Sequence, residues 1–227
     1  MNQYYCTTGG RECPPCGHPN PPPQPQPTRC ACADAYRALL DLLCSPRLTG
    51  LINQSAFAFI GSDYLVGAST TPITPSEAAP NDNLSALSGS FTCGNGCDTI
   101  AAAGDLSAAA AGSEPAAIGI TQAVLCNLSA IAFDALATDT TQTANFQTIS
   151  QVLSQALHPN SAQLPCPASG AGTLLRSAAA RTVTLTAGPL VLRGVTVLGE
   201  LGDVLVLSNS ADNRFYLVCA DTIGFFG

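Results

Sequence analysis

Apolar positions in this chain recur with two periods, and the change from one to the other marks the elements. From Ala31 to Cys44, Leu39, Leu40, Leu42 and Leu43 follow Ala35 and Tyr36 as a stripe with helical spacing, and Ser45-Pro46 ends it. A second helix is expected near 146–157, where Phe146, Ile149, Val152, Leu153 and Ala156 recur every three or four residues before His158-Pro159. Elsewhere the apolar residues come in short runs. Ser55–Ile60 and Tyr64–Gly67 read as strands around Gly61-Ser62-Asp63, and Leu84–Thr92 and Asp98–Ala103 flank a hairpin-like turn, Cys93-Gly94-Asn95-Gly96-Cys97. Ala117–Leu125 and Ser129–Leu136 are further strand candidates, and 70–83 and 159–173 read as loops. Period two is clearest near the C-terminus. Thr182–Thr186 alternates, and Leu190–Leu198, Val204–Leu207 and Phe215–Cys219 are β-branched or aromatic between Gly- and Asn-containing turns. Short strands at this spacing predict a mainly β fold, an antiparallel sandwich or barrel-like body, with two helices.

The first 29 residues follow neither period. They hold Cys6, Cys13 and Cys16 and eight of the 17 prolines. The stretch Pro19–Pro27 is expected as extended polyproline II, because proline has no donor for a helix or a central strand. The chain therefore divides into an extended Cys/Pro-rich arm, 1–29, and a β-rich body, 30–227. One pattern repeats inside the body: Leu51–Phe59 and Leu125–Phe133 both read L-x-N-x-S-A-x-A-F. Two related β units, or coincidence in an Ala/Ser-rich chain, account for it equally.

Composition then narrows the chemistry. The chain has no lysine and no tryptophan, and its formal charge is −7. Without lysine there is no P-loop or Schiff-base lysine, and two histidines exclude His-rich metal sites of the HExxH kind. The acidic balance argues against nucleic acid as a partner. No apolar run reaches the length of a membrane span, and no G-x-S-x-G elbow is present. Asp34 and Asp41, seven apart, share a helix face and read as solvated. No enzyme, cofactor or metal is expected on these grounds. Met1–Cys6 has neither a basic nor an apolar region of the kind that opens a secretory signal. Charged residues are 10%, against about 25% in ordinary globular chains. A surface of Ser, Thr and Ala repels its own copies weakly and favours self-association.

The cysteines carry the remaining chemistry. Eleven is odd, so a fully oxidised monomer keeps at least one unpaired. Cys13-Pro14-Pro15-Cys16 has redox-motif spacing but lacks the preceding strand and helix N-terminus that motif needs. Cys13, Cys16, His18, Cys30 and Cys32 supply enough ligands for zinc, but Cys30 and Cys32 are too close for a standard knuckle and the prolines hold the two groups apart. Cys6, Cys13, Cys16, Cys30 and Cys32 are thus candidates for disulfides between copies, with a disordered tail of reduced thiols as the bland alternative. Cys93 and Cys97, bracketing a turn, are candidates for a local disulfide. Cys44, Cys126 and Cys219 sit in apolar runs and are expected as buried small hydrophobes.

With Cys6, Cys13 and Cys16 ahead of a charge-poor β body, the chain resembles bacterial endospore surface proteins of the coat, exosporium and spore-appendage kind. It departs from appendage subunits in its two helices and longer body. The resemblance implies accumulation in a mother cell that later lyses, which reconciles many cysteines with the lack of an export signal. It also implies an N-terminal cysteine arm disulfide-linked to neighbouring subunits. The expected function is a self-assembling structural protein of a spore or cell-surface layer or fibre, with copies of itself as partners. A β-sandwich binding module with a tether arm and a zinc-stabilised scaffold are the alternatives.

Overall fold

A computed structural model describes residues 31–70, 81–91, 93, 99–103, 106–110, 116–118, 122–137, 142–157 and 182–227. The expected arm, the tip of the 93–97 turn with Cys97, His158 and the 159–173 loop lie outside them.

Both helices form. α1 (Ala31–Leu43) buries Cys32, Ala35, Tyr36, Leu39 and Leu43, the helically spaced stripe, and leaves Asp34 and Asp41 in solvent. α2 (Gln142–Ala156) starts four residues before the expected Phe146. Its first turn, Gln142-Thr143-Ala144-Asn145, carries no apolar repeat, so periodicity could not see it.

The strands in chain order are β1 (Ile52–Ile60), β2 (Tyr64–Val66), β3 (Ala68–Thr70), β4 (Leu84–Leu87), β5 (Ser90–Phe91), β6 (Thr99–Ala103), β7 (Leu106–Ala110), β8 (Ala116–Ile118), β9 (Gln122–Val124), β10 (Ala130–Ala135), β11 (Thr182–Ala187), β12 (Leu190–Leu201), β13 (Val204–Asn209), β14 (Arg214–Cys219) and β15 (Ile223–Phe226). The body is mainly antiparallel β with two helices, as the pattern predicts. The expected strand over 117–125 is two short ones, β8 and β9, and Leu84–Thr92 is divided between β4 and β5. Ten strands make one sheet in the order β15-β11-β12-β13-β14-β10-β1-β2-β7-β8.

Its central strands are buried on both faces, so they read as continuous apolar runs and not as alternations. Phe57 and Phe59 of β1, Ile131 and Phe133 of β10, Val204 and Val206 of β13, and Phe215 and Leu217 of β14 point to the face covered by α1 and α2. The intervening Ala58, Ile60, Ala130, Ala132, Leu205, Leu207, Tyr216 and Val218 point to the other face. The helix face holds a run of packed rings: Phe91, tilted against Phe57, then Phe57, Phe133, Phe215 and, from α2, Phe146 in a stack, at centroid spacings of 5.3, 5.5, 5.2 and 4.7 Å. Each such contact adds about 0.5–1.5 kcal/mol beyond simple burial.

The second face is closed by the sheet itself. β12 pairs with β11 through its first half and with β13 through its second, and bends at an irregularity between Val197 and Gly199. Gly199 sits at φ +155°, and a Cβ there would meet the Leu157 Cβ at 2.9 Å. The bend carries Leu190, Leu192 and Val195 over Ala58, Ile60 and Ala132, giving a barrel-like interior. At Gly67 (φ +77°) a Cβ would lie 2.7 Å from the Phe57 carbonyl oxygen, so the turn from β2 to β3 requires glycine.

The repeated L-x-N-x-S-A-x-A-F segments become neighbours. β1 and β10 pair antiparallel with Ala58 opposite Ala132 and Phe57 opposite Phe133. Around the Ala58–Ala132 pair the register has local two-fold symmetry, which relates Phe57–Phe59 to Ile131–Phe133; the earlier parts of the two segments differ, Ile52–Ser55 being strand and Leu125–Asn127 a 3-10 turn. The two strands therefore present the same small-large alternation to the two cores.

Candidate functional site: the disulfide framework and a buried ion cluster

α1 presents Cys32 in its first turn and leads into Cys44 just past its last. Cys32 is bonded to Cys219 at the end of β14, with 5.7 Å between Cα atoms and 187 residues between them in sequence. Cys44 is bonded to Cys93, with 5.6 Å between Cα atoms and a separation of 49. Cys126 is also disulfide-bonded. These pairings correct three expectations. Cys93 is joined to Cys44 and not to Cys97, because the end of α1 lies beside the exit of β5. Cys32 is joined within its own chain, so it is neither an intersubunit candidate nor a zinc ligand. Cys44, Cys126 and Cys219 are cross-linked, not free apolar thiols. Cys6, Cys13, Cys16, Cys30 and Cys97 lie outside the described residues. Among the described residues no group of three or more His, Cys, Asp or Glu side chains is placed to hold a metal ion.

A second constellation was not anticipated. Arg214 opens β14 directly opposite Asp134 of β10. Its Nε donates to Asp134 Oδ1 at 2.7 Å and one Nη to Oδ2 at 3.3 Å, a two-point grip. The other Nη donates to Asp82 Oδ2 at 2.9 Å, and the Tyr216 hydroxyl donates to the same oxygen at 2.5 Å. Asp82 Oδ1 accepts from the Leu84 N–H at 2.9 Å. Arg214 is 6% and Asp82 1% exposed. Burial raises the Asp134 carboxyl above the ordinary aspartate range, outweighing the Arg214 charge that lowers it. Burial by itself would lower Arg214, but Asp134 and Asp82 overcome it and hold the guanidinium charged. Burial, and then the Asp82 carboxylate, push the Tyr216 phenol far above its ordinary range.

Asp82 belongs to a polar clip. Asn83 Nδ2 donates to the Pro189 carbonyl, the Val191 N–H donates to Asn83 Oδ1, and the Arg193 N–H donates to the Asn81 carbonyl, each at 2.7–2.9 Å. Asn81 Nδ2 donates to Asn209 Oδ1 at 2.8 Å. Residues 81–84 thus join β12 to β13 and β14, and reach β10 only through Arg214, at the seam where the sheet folds over. The donors and acceptors satisfy one another, so the cluster acts as a clamp. The sequence signal for it is two charges, Asp134 and Arg214, set within otherwise apolar strands.

An open depression of about 370 Å³ lies against Ser62, Tyr64, Cys126, Asn127, Leu128, Ser129 and Thr222. Among the described residues that line it, Tyr64 is the titratable side chain. No helix of the described residues is long and apolar enough to cross a membrane.

Residues 30–227 match the family described as spore coat protein CotA-like. The chain belongs to that family. It is 30% identical over 251 aligned residues to spore coat protein CotA of Clostridioides difficile (strain 630), an alignment covering 83% of this chain and 80% of that protein. No solved structure matches. The likeness to endospore surface proteins thus holds at the level of the family, and this is a spore coat-type structural protein.

Proposed function

We propose that this chain is a non-enzymatic building subunit of the spore surface that assembles with copies of itself, and that thiols of the 1–29 arm and Cys30 join neighbouring bodies through disulfides. The observation that carries this reading is the oxidation state of the body. Cys32, Cys44, Cys93, Cys126 and Cys219, the cysteines among the described residues, are each disulfide-bonded. A protein whose body is held this way functions where disulfides persist. There, arm cysteines Cys6, Cys13, Cys16 and Cys30 meet conditions that favour bonds to a neighbour. With only 10% charged residues, the chain has few charged side chains to keep hydrated when copies pack closely. Covalent linkage of copies adds kinetic persistence, the property a protective layer needs.

The test is electrophoresis of the assembled full-length protein with and without reductant, alongside electron microscopy. Cross-linked subunits migrate as a ladder that collapses to monomer on reduction, and micrographs show sheets or fibres. Monomer in both lanes together with isolated particles would refute the reading.

A further inference from the structure

We propose that the Cys44–Cys93 disulfide is the acceptor at which a thiol from a second copy attaches, by thiol–disulfide exchange. This inference rests on the cross-linking reading above and names the receiving site on the body.

The two disulfides with both partners described have opposite surroundings. Cys32 and Cys219 are 4% and 7% exposed, sealed between α1 and the end of β14. Cys44 is only half-buried and Cys93 is exposed. Exchange needs a thiolate to approach one sulfur along the S–S axis. The buried pair offers no such approach, whereas the solvent side of Cys93 does. The surroundings also tolerate opening. Cys93 follows β5, a two-residue strand, and Cys44 stays anchored by its N–H bond to the Leu40 carbonyl, 3.0 Å, whether or not its sulfur is bonded.

The chemistry balances without an outside oxidant. A thiol of the second copy loses its proton to water, and the thiolate attacks the Cys93 sulfur. A Cys93–thiol disulfide forms, the Cys44–Cys93 bond breaks, and Cys44 leaves as a thiolate that takes up one proton. One disulfide is consumed and one is made. The odd count of eleven means that a chain whose disulfides are all internal retains at least one thiol to begin this.

The test treats oxidised full-length protein with millimolar reduced glutathione at about pH 8, where thiolate is abundant. The reaction is quenched with N-ethylmaleimide and mapped by peptide mass spectrometry. Glutathione is expected on Cys93 about tenfold faster than on Cys32 or Cys219, with maleimide appearing on Cys44 in equal amount. Equal rates at the buried pair, or exchange confined to the exposed Cys126, would overturn the assignment. The second readout is the Cys44→Ser/Cys93→Ser double variant on a non-reducing gel, with circular dichroism checking that it folds. Loss of the reductant-sensitive ladder supports the acceptor role. An undiminished ladder overturns it and leaves the cross-linking reading standing, and a wild type that forms no ladder overturns both.

Discussion

Replacing Arg214 by Met isolates the ion cluster from the rest of the fold. Methionine keeps much of the apolar stem of Arg214 and removes the guanidinium that grips Asp134 and Asp82. Asp82, 1% exposed, then keeps the Tyr216 hydroxyl and the Leu84 N–H but has no counter-charge. Removing one partner from a buried pair costs about 3–5 kcal/mol, because the remaining charge is neither hydrated nor paired. A fold of ordinary stability holds about 5–15 kcal/mol in total, so the variant gives up a large share of it. For a chain of this size the loss corresponds to a drop of about 6–20 °C in Tm. With no tryptophan to report unfolding, urea titration followed by far-ultraviolet circular dichroism is the suitable assay. A triple variant, Asp82→Asn/Arg214→Met/Asp134→Asn, removes every charge of the cluster and should recover much of the loss, since exchanging a whole buried ionic group is often near neutral. A cost below about 1 kcal/mol for Arg214→Met alone would place the pair with solvent-exposed ion pairs and refute the clamp.

Three further expectations follow from the geometry. Cys32→Ser/Cys219→Ser opens a loop of 187 residues and Cys44→Ser/Cys93→Ser one of 49; loop entropy assigns about 5 and about 4 kcal/mol, so the first pair should lower the urea midpoint more, and the reverse order would show that native-state contacts decide instead. The raised Asp134 carboxyl retains a proton in the folded state that the unfolded chain has already lost; stability from this group therefore falls as pH rises from about 4 through the raised value, and Asp134→Asn should flatten that part of the pH–stability curve. Gly199→Ala places a Cβ 2.9 Å from that of Leu157 at φ +155°, and should cost about 1–3 kcal/mol; an unchanged thermal midpoint would mean that the β12 bend needs no glycine.

How much of this was legible depended on whether the signal was local. α1 and β11 are readable because their apolar periods are dictated by a solvent side and a core side, and β13 and β14 because they are short apolar runs, buried on both faces, between turn residues. β7, Leu-Ser-Ala-Ala-Ala, is not, since alanine carries no strand preference and only pairing to β2 and β8 makes it one. β15, Ile-Gly-Phe-Phe, is equally silent and is a strand by virtue of β11. The disulfides were misread for a related reason. Cys219 ends an apolar strand and Cys44 follows an apolar helix, so each looks like a core residue, and their partners are 187 and 49 residues away. The ion cluster joins Asp82 to Arg214 across 132 residues. Its local trace, a charge at Asp134 inside one apolar strand and at Arg214 at the start of another, forms no period or motif and was passed over.

The central claim is that copies are joined by disulfides from the arm. Equal amounts of full-length protein of natural isotopic abundance and of uniformly ¹⁵N-labelled protein, assembled together and digested without reduction, test it most directly. The account predicts disulfide-linked peptides that pair a labelled with an unlabelled half, carrying Cys6, Cys13, Cys16 or Cys30 on one side. Linked peptides whose halves always share one label would show that every disulfide closes within its own chain, and would contradict it.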